Sequence, residues 1–570
     1  MADVNERASG VDAATAETDY LIIGAGTAGC VLANRLSFDP SVQVTLVEAG
    51  TRDNSWLIRT PAAVGALIRH KQYNWNYSTV PQPHLADRRL PMPRGRVLGG
   101  TSSINGMVYI RGHAADFNSW AEECGPEWDF AHVLPYFIRS ESNRNLQDRH
   151  FHGTDGPMRV THIEPRNPLV ERFVAAAEEL GYTRRADFNT GALEGFGPRQ
   201  ATIRDGRRES MASAFLNPIS RRANLRVLTD CLVRRVTFSQ NRATGVEFER
   251  GGSVRRISAR RETIVCAGAF DSPALLLRSG VGDGAALSRL GIGTIAHAPE
   301  VGRNLRDHLS TVVTMRTQNT DSYGLSARAL PRGLWNVLEY LLAHRGPLAS
   351  NVFEAHGFIR SSPQLAAPDL QIIFMPAYRN PSGFPIPLGH GYGINVALLT
   401  PRSRGIVTLT DRDPHTAPLI DPNFLGAPED IGPLLYGLKV ARRILAAKPF
   451  QSLQGQEVLP GPGMDGDEAL ERHIRNTAGT VFHPVGTCRM GGDDRSVVDP
   501  QLRVRGIQRL RVVDASVFPT IVRGNTNAAV VMVAEKAADM ILGKTPPQAM
   551  YDAALPESPS DRGKLVTLPP

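Results

Sequence analysis

The stretch YLIIGAGTAGCVLA, residues 20–33, begins as an apolar run typical of a buried strand and continues with helical character. Its glycines follow the pattern G-x-G-x-x-G. A second apolar strand, VQVTLV at residues 42–47, ends at Glu48. Strand, turn, helix and second strand are the setting in which this pattern binds a dinucleotide. We therefore predict an α/β fold that begins with a Rossmann-like domain.

Each position of the motif has a physical task. Gly24 allows the tight turn out of the strand, Gly26 lets the backbone approach a pyrophosphate, and Gly29 lets helix and strand pack closely. The helix N-terminus offers free N–H groups to the phosphates. Glu48 is placed to accept hydrogen bonds from a ribose, and an acid here disfavours a 2′-phosphate. The predicted contacts are Gly24, Gly26, Thr27, Ala28, Gly29 and Glu48. The motif alone does not separate FAD from NAD.

Length and composition describe an ordinary globular protein. The 570 residues are 42% hydrophobic and 21% charged, and this length corresponds to about two to four domains. The net charge is +8, with arginine clusters at residues 207–208, 221–222 and 255–261. We interpret these as solvated loops, since no tract has the aromatic interleaving of a nucleic-acid binder. Peripheral attachment to a membrane surface stays open.

The five cysteines are scattered, and no C-x-x-C occurs. This pattern indicates neither a zinc ribbon nor a disulfide framework, and it favours the cytoplasm. Residues 1–18 lack the apolar region of a signal peptide, and no apolar run reaches the length of a membrane span. The histidines lack the spacing of a zinc protease motif, so we predict no metal site.

A second glycine-rich stretch is PRGRVLGGTSSINGMVYIRG, residues 93–112. It contains no Asp, Glu or Lys, which is unusual for a solvated surface loop. Glycine-rich backbone wraps closely around a ligand and donates N–H groups to it. Its arginines suit a phosphate-bearing ligand.

This stretch resembles the first signature of the glucose–methanol–choline (GMC) oxidoreductases. GAFDSPALLLRSGVG, residues 268–282, resembles the second, and the opening unit with Glu48 is similar to the FAD-binding unit of the family. The resemblance runs from about residue 19 to 542. It implies a Rossmann-like FAD-binding domain and a substrate domain built on an antiparallel sheet with helices behind it.

The implied boundaries are a disordered lead at 1–18; FAD-binding parts at 19–112, 221–310 and 481–542; substrate-domain parts at 113–220 and 311–480; and a flexible tail at 543–570. Helices are expected near 210–222, 334–344, 431–447 and 527–542. Strands are expected near 225–229, 232–238, 263–268, 352–360, 370–374, 394–399 and 510–516. Residues 56–83 are expected to form a loop over the cofactor.

The resemblance further implies a set of cofactor contacts outside the opening motif: Arg96, Val97, Gly100, Ser103, Asn105, Gly106, Met107, Val108, Val233, Asp514, Ala515 and Asn527. Asn527 is also the natural N-cap of the last helix. Choline oxidases of this family carry a histidine that bonds covalently to FAD at the position of Ile104. We therefore predict FAD that is bound without a covalent link.

The segment TVFHPVGTCRMG, residues 480–491, contains the predicted catalytic base. Oxidation of an alcohol removes a hydride from carbon, and another group must take the hydroxyl proton. Imidazole suits that task near neutral pH. The resemblance assigns the role to His483, facing the reactive edge of the flavin, and substrate positioning to Asn525. An amide donates a hydrogen bond but cannot act as a base.

The implied reaction is oxidation of a primary alcohol by hydride transfer to FAD. Val481 and Phe482 are predicted to line the substrate pocket, and an aromatic wall favours apolar or aromatic alcohols. No pocket acid can be matched to the one that choline oxidases use, which argues against choline. Oxygen, a quinone or an electron-transfer protein can accept the electrons. The alternatives are an NAD-linked dehydrogenase, which leaves the two later motifs unexplained, and a flavin-fold protein with non-oxidative or non-alcohol chemistry.

Overall fold

The computed structural model describes residues 16–146, 148–164, 166–378 and 388–551. The strands of its two largest sheets are β1 (Ala16–Ile23), β2 (Val44–Val47), β3 (Gly195–Pro198), β4 (Leu225–Leu228), β5 (Leu232–Ser239), β6 (Arg242–Arg250), β7 (Ser253–Val265), β8 (Leu309–Thr317), β9 (Ala355–Ile359), β10 (Leu370–Met375), β11 (His390–Leu398), β12 (Gln456–Leu459), β13 (Gly479–Thr480) and β14 (Leu510–Val512). The principal helices are α1 (Thr27–Leu36), α2 (Ala114–Cys124), α3 (Phe130–Ser140), α4 (Leu169–Glu179), α5 (Gly268–Arg278), α6 (Gly284–Arg289), α7 (Leu330–Ala343), α8 (Ile431–Ala446), α9 (Asp467–Thr477) and α10 (Asn527–Leu542).

The first sheet has the order β4–β2–β1–β7–β6–β5, with β14 also paired to β7. Strand β1 runs parallel to β2 and β7, so that Ile22 lies opposite Leu46 and Ile264. Helices α1 and α10 pack against each other beside this parallel centre. The apolar runs that predicted buried strands are therefore the middle of a covered sheet, and the Rossmann-like prediction is confirmed.

The second sheet is antiparallel, in the order β12–β8–β11–β10–β9–β3, with β13 paired to β8. Helices α4, α8 and α9 contribute apolar side chains to one core with this sheet. Amphipathic helices cover one face because their apolar stripes need burial. The predicted antiparallel sheet with helices behind it is thus confirmed.

Two local predictions were wrong. Residues 210–222 do not form a regular helix, because a π-helical turn (Ala212–Leu216) is followed by a 3-10 turn (Asn217–Ile219). Pro218 lacks the N–H that a continuing helix needs. Residues 56–83 are not merely a loop, because they carry short helices at Trp56–Arg59 and Val64–Leu67.

The chain ends differ in part from the prediction. Residues 1–15 and 552–570 lie outside the described residues, so most of the predicted lead and tail stays a prediction. Ala16 to Thr18 belong to β1, with Thr18 opposite Ala259 of β7, and are not part of a disordered lead. In the tail, the N–H of Met550 donates to the carbonyl of Ala131 at 2.9 Å. None of the helices within the described ranges has the length and apolar character to cross a membrane.

The first turn supplies a stability prediction. A Cβ at Gly29 would lie 1.9 Å from the carbonyl oxygen of Gly24, whereas a Cβ at Gly432, in α8, would meet nothing within 4 Å. We expect Gly29→Ala to lower the free energy of unfolding by about 2–3 kcal/mol, because backbone must move apart. Gly432→Ala is the matched control and should raise it by up to about 1 kcal/mol. Urea denaturation measures both, and equal effects of the two variants would contradict the packing argument.

Candidate active site

A cavity of about 1070 Å³ is lined by residues of both large sheets and of the loops between them. Most of the predicted site residues stand in its wall: Gly24, Gly26, Thr27, Ala28, Glu48, Gly100, Asn105, Gly106, Met107, Val108, Val233, Val481, Phe482, His483, Asp514, Ala515, Asn525 and Asn527. These residues span nearly the whole chain. Folding therefore brings the separate motifs to one place.

Four predicted contacts lie outside the wall. Gly29 packs against the backbone of Gly24, and Val97 is fully buried in a small apolar cluster. The hydroxyl of Ser103 donates to the carbonyl of Leu98 at 2.6 Å. The guanidinium of Arg96 lies over the ring of Trp75, 4.7 Å from its centroid. These residues shape the wall from behind.

At one end of the cavity, Glu48 is held by the backbone. Its carboxylate accepts from the N–H of Ala25 at 2.8 Å and from the N–H of Gly50 at 2.8 Å. Burial raises the pKa of Glu48 to about 7, and these two bonds partly offset the effect. The carboxylate thus fastens the first glycine turn while its side chain faces the cavity, where the predicted ribose contact would be made.

The second glycine-rich stretch lies directly against the first. The N–H of Gly99 donates to the carbonyl of Ala25 at 2.8 Å, and Gly100 has a φ of 54°. A Cβ at Gly100 would lie 2.7 Å from the Cα of Gly26. Only bare backbone fits here, and such backbone forms a cradle for a phosphate-bearing ligand. The residues present therefore fit a dinucleotide.

The last helix closes this end of the cavity, and one expectation about it was wrong. Thr526, not Asn527, is the N-cap residue, and its side chain makes no capping bond. The Oδ1 of Asn527 instead accepts from the hydroxyl of Thr27 at 2.7 Å. The two helix N-termini, α1 and α10, are joined by this bond at the cavity wall.

Asp514 ties the start of α5 to the same wall. Its Oδ2 accepts from the N–H of Gly268 at 2.8 Å and from the hydroxyl of Ser272 at 2.5 Å. Its Oδ1 accepts from the N–H of Ser516 at 2.8 Å. Burial raises the pKa of Asp514, with these bonds acting against the shift. The second signature and the C-terminal segment are therefore held together.

At the other end, the segment that carries His483 is anchored by a buried carboxylate. Asp307 accepts from the N–H of His483 at 2.7 Å and from the hydroxyl of Thr480 at 2.5 Å. Between them, Phe482 has a φ of 69°, which is rare for a bulky side chain. The guanidinium of Arg94 donates to the carbonyl of Phe482 at 2.7 Å. These bonds hold a backbone conformation that fixes where His483 points.

The imidazole of His483 lies between two polar side chains. Its Nδ1 is 3.0 Å from the Nδ1 of His308, and its Nε2 is 3.0 Å from the Nδ2 of Asn525. The Nε2 of His308 is 3.1 Å from the carbonyl oxygen of Leu399. Burial lowers the pKa of His308 to about 3 and that of His483 well below 6.5. Both rings are therefore neutral near pH 7.

The tautomers follow from these partners. A carbonyl oxygen only accepts, so the Nε2 of His308 carries the proton and its Nδ1 is an acceptor. The Nδ1 of His483 then donates to it, which leaves the Nε2 of His483 with a free lone pair. The amide of Asn525 donates to that lone pair. Among the described residues, the Oδ1 of Asn525 has no hydrogen-bond partner although it is buried.

Sequence reasoning missed three of these residues: Arg94, Asp307 and His308. Arg94 lies in the glycine-rich stretch 93–112, so the sequence shows its charge but not its hydrogen-bond partner, the carbonyl of Phe482. Asp307 and His308 form a plain Asp-His pair 175 residues before His483. Their role depends on the pairing of β8 with β13, which places Leu309 opposite Thr480. No local sequence pattern predicts that strand pairing.

The comparisons with known proteins agree with this geometry. Residues 18–310 match the N-terminal profile described as GMC oxidoreductase, and residues 401–534 match the corresponding C-terminal profile. The alcohol dehydrogenase [acceptor] of Pseudomonas putida is 42% identical over 539 residues, which cover 94% of this chain and 98% of that protein.

Two further proteins are similar to this chain over almost its whole length. An oxygen-dependent choline dehydrogenase of Rhizobium etli is 41% identical, covering 93% of this chain and 96% of the relative. The crystal structure of pyridoxine 4-oxidase from Mesorbium loti superposes with a TM-score of 0.83 at 32% identity, covering 93% of this chain and 100% of that one. Sequence, fold and cavity thus lead to one conclusion: the chain belongs to the GMC oxidoreductases, a family of FAD-dependent enzymes.

Proposed function

We propose that the chain oxidises a primary alcohol to an aldehyde, with His483 as the base that takes the hydroxyl proton. The enzyme class, an FAD-dependent oxidoreductase that acts on CH–OH groups, follows from family membership. The observation that carries the finer proposal is the chain of contacts from Leu399 through His308 and His483 to Asn525. It prepares one imidazole nitrogen to accept a proton at the cavity.

Bound FAD supplies the two-electron acceptor for the hydride that leaves the carbinol carbon. The chain's own part begins with orientation. The hydroxyl proton of the substrate moves to the Nε2 of His483, which is unprotonated because the ring carries its proton on Nδ1 and donates it to His308 in a hydrogen bond. General base catalysis of this kind contributes roughly 10²- to 10⁴-fold to a rate.

Asn525 positions the alcohol in this proposal. Its Nδ2 already donates toward the site where the hydroxyl proton must go. When a substrate oxygen arrives beside His483, the same N–H can donate to that oxygen. The Oδ1 is buried and has no partner in the part of the chain that the structure describes, which supports a ligand at this place, since a buried acceptor without a donor is costly.

The residues around Ile104 support FAD that is held without a covalent bond. Ile104 is fully buried in an apolar cluster with Val97, Ile58 and Leu67. Its side chain offers no nucleophile where choline oxidases carry a histidine. Retention of FAD then depends on the glycine cradle and on the contacts of the two helix N-termini.

Phe482 stands in the cavity wall beside His483, which supports an apolar or aromatic substrate. The electron acceptor is oxygen, a quinone or an electron-transfer protein. The test is to reduce the flavin with an alcohol in the absence of oxygen and then to admit air. Rapid reoxidation identifies an oxidase, and slow reoxidation indicates a quinone or an electron-transfer protein. A cytoplasmic location stays a prediction from the cysteine pattern.

Peripheral membrane association is supported by α7. Its large side chains are exposed although apolar: Leu330, Leu334, Trp335, Val337, Leu338, Leu341 and Leu342. Between residues 325 and 346 the sequence has three arginines and one acid, so the patch is apolar with a positive border. Trp and Arg beside a wide apolar face are typical of helices that lie in a bilayer interface. Tyr323, before α7, and Val352 and Phe353, after it, line the cavity.

The first test is His483→Ala. We expect the variant to bind FAD with an unchanged visible spectrum and to lose roughly 10²- to 10⁴-fold in the rate of flavin reduction by alcohol, because the proton acceptor is gone. Anaerobic stopped-flow absorbance measures that rate. His132→Ala, which alters a ring hydrogen-bonded to Asp129 at the start of α3, is the control. Wild-type reduction rates in His483→Ala would refute the assignment.

The role of His308 predicts a pH effect. Burial, and then the neighbouring His308, Arg94 and Arg199, lower the pKa of His483. The neutral base therefore persists below pH 6.5, and flavin reduction should decline only at more acidic pH. In His308→Asn the ring that orients the Nδ1–H of His483 is gone, so the rate at neutral pH should fall. The acid limb should move to higher pH, because His308 is the largest influence after burial that lowers the pKa of His483. A lower rate with an unshifted acid limb would indicate a purely structural role.

The membrane proposal is tested by flotation with vesicles. Replacing Leu334, Leu341 and Leu342 together by Ser should weaken partitioning to anionic vesicles by more than roughly tenfold, because apolar area no longer enters the interface. Phe38→Ser removes an equally exposed apolar side chain at the end of α1 and should leave partitioning unchanged. Equal partitioning of the triple variant, or loss of a dimer instead of loss of vesicle binding, would overturn the proposal.

A further inference from the structure

Arg199 is a buried cation in the wall of the active-site cavity. The residue is only 2% exposed. Its Nε and Nη2 have no hydrogen-bond partner anywhere in the described ranges. A guanidinium carries five N–H donors, so a buried one without acceptors is a rare and costly arrangement.

Among the described residues, no carboxylate forms an ion pair with Arg199. Burial alone lowers the pKa of Arg199, to about 9. Arg111, by contrast, pairs with Glu141 at 2.7 Å. Arg208 donates through its Nη1 to the carbonyl of Asn105 at 2.6 Å and through its Nε to the carbonyl of Ile58, and only its Nη2 lacks a partner among the described residues. A buried charge without a counter-charge is unfavourable, so an anion is expected beside it when the site is filled.

His356, which is not part of the cavity wall, is a second buried side chain with a donor that lacks a partner among the described residues. His356 accepts from Gln371 through its Nδ1 at 3.2 Å, which leaves a proton on its Nε2 when the ring is neutral. That Nε2 is buried and lacks an acceptor among the described residues. The charge of Arg199 lowers the pKa of His356 and also that of His483, so all three side chains share one neighbourhood.

Arg199 and the predicted base His483 both stand in the cavity wall. The backbone N–H of Arg199 donates to the backbone carbonyl of Glu354 at 2.9 Å, next to β9 of the antiparallel sheet. The following strand, Gln200–Ala201, pairs with Val108–Tyr109. Apolar residues Phe353, Ile373 and Met375 stand in the same wall. The glycine cradle for the pyrophosphate is built from other segments, at residues 24–29 and 95–106.

We propose that Arg199 binds a carboxylate on the substrate, so that the enzyme acts on alcohols that carry a carboxylate group. The planar guanidinium fork matches a carboxylate in a two-point contact, and a single arginine suits a monoanion. The apolar residues of the wall then surround the body of the substrate, and His483 meets its hydroxyl. The substrate class rests on the proposed alcohol oxidation, whereas anion binding at Arg199 does not.

Binding is tested first, with the FAD-loaded protein and benzoate as the probe. Benzoate should perturb the flavin spectrum, and Arg199→Met should weaken its affinity roughly 10- to 100-fold, the loss typical of a hydrogen-bonded charge. Arg199→Lys should retain part of the affinity. Arg222→Met, which removes a cation bonded to the carbonyl of Asn34 outside the cavity, is the matched control. Unchanged benzoate affinity in Arg199→Met would overturn the proposal.

Turnover is tested with a matched pair, para-(hydroxymethyl)benzoate and para-methylbenzyl alcohol. The wild type should prefer the carboxylate by roughly tenfold or more in kcat/KM, chiefly through KM, and Arg199→Met should abolish this preference. The neutral alcohol has no carboxylate for Arg199 to bind, so its kcat/KM should fall much less in Arg199→Met than that of the carboxylate. Loss of FAD, or equal loss on both alcohols, would place Arg199 in the cofactor site and overturn the proposal. If neither alcohol reduces the flavin while benzoate still binds through Arg199, the proposed oxidation fails and anion binding survives.

Discussion

Contact between bare backbones beneath the cavity is the constraint on which the rest of the structure depends. A side chain at Gly29 would run into the carbonyl of Gly24, and one at Gly100 would run into Gly26. Because none of these positions has a Cβ, strand β1, helix α1 and the 95–106 loop come together with their N–H groups available to a ligand. The carboxylates of Glu48 and Asp514 then bind neighbouring N–H groups and keep the backbone in place. The cofactor site is thus a property of the main chain, held by a few buried acids.

Buried titratable groups divide into two kinds around the cavity. Burial raises the pKa of Glu48 to about 7 and that of Asp307 to about 6, yet each is surrounded by N–H or hydroxyl donors and acts as an anchor. Burial lowers the pKa of His308 and His483, so both rings stay neutral. Each ring then donates one hydrogen bond, from His483 to His308 and from His308 to the carbonyl of Leu399. Arg199 fits neither kind, since its buried Nε and Nη2 have no acceptor within the described residues. Buried donors without acceptors do not stabilise the fold, so Arg199 indicates a bound ligand.

Much of the architecture could be predicted from the sequence because it depends on patterns among neighbouring residues. Apolar runs with a terminal acid predicted β1 and β2, and the amphipathic pattern of residues 431–447 predicted α8. The motif around His483 and the position of Asn525 also came from contiguous residues. Residues 210–222 were predicted wrongly because Pro218 interrupts a helical pattern, and Asn527 was misplaced as a cap because its partner, Thr27, is distant in the chain. The domain boundaries stay a prediction.

By itself, the sequence determined the family, the nucleotide-binding topology and the identity of the imidazole that faces the cavity, because glycine spacing and short motifs act through neighbouring residues. Only the tertiary structure decided the protonation pattern of that imidazole and the environment of Arg199. The tautomer of His483 depends on His308, which β8 brings to the segment after β13, and on the carbonyl of Leu399 behind it. Whether a buried charge finds a partner is likewise a matter of distances across the fold, and such distances are set by strand pairing that no local pattern encodes.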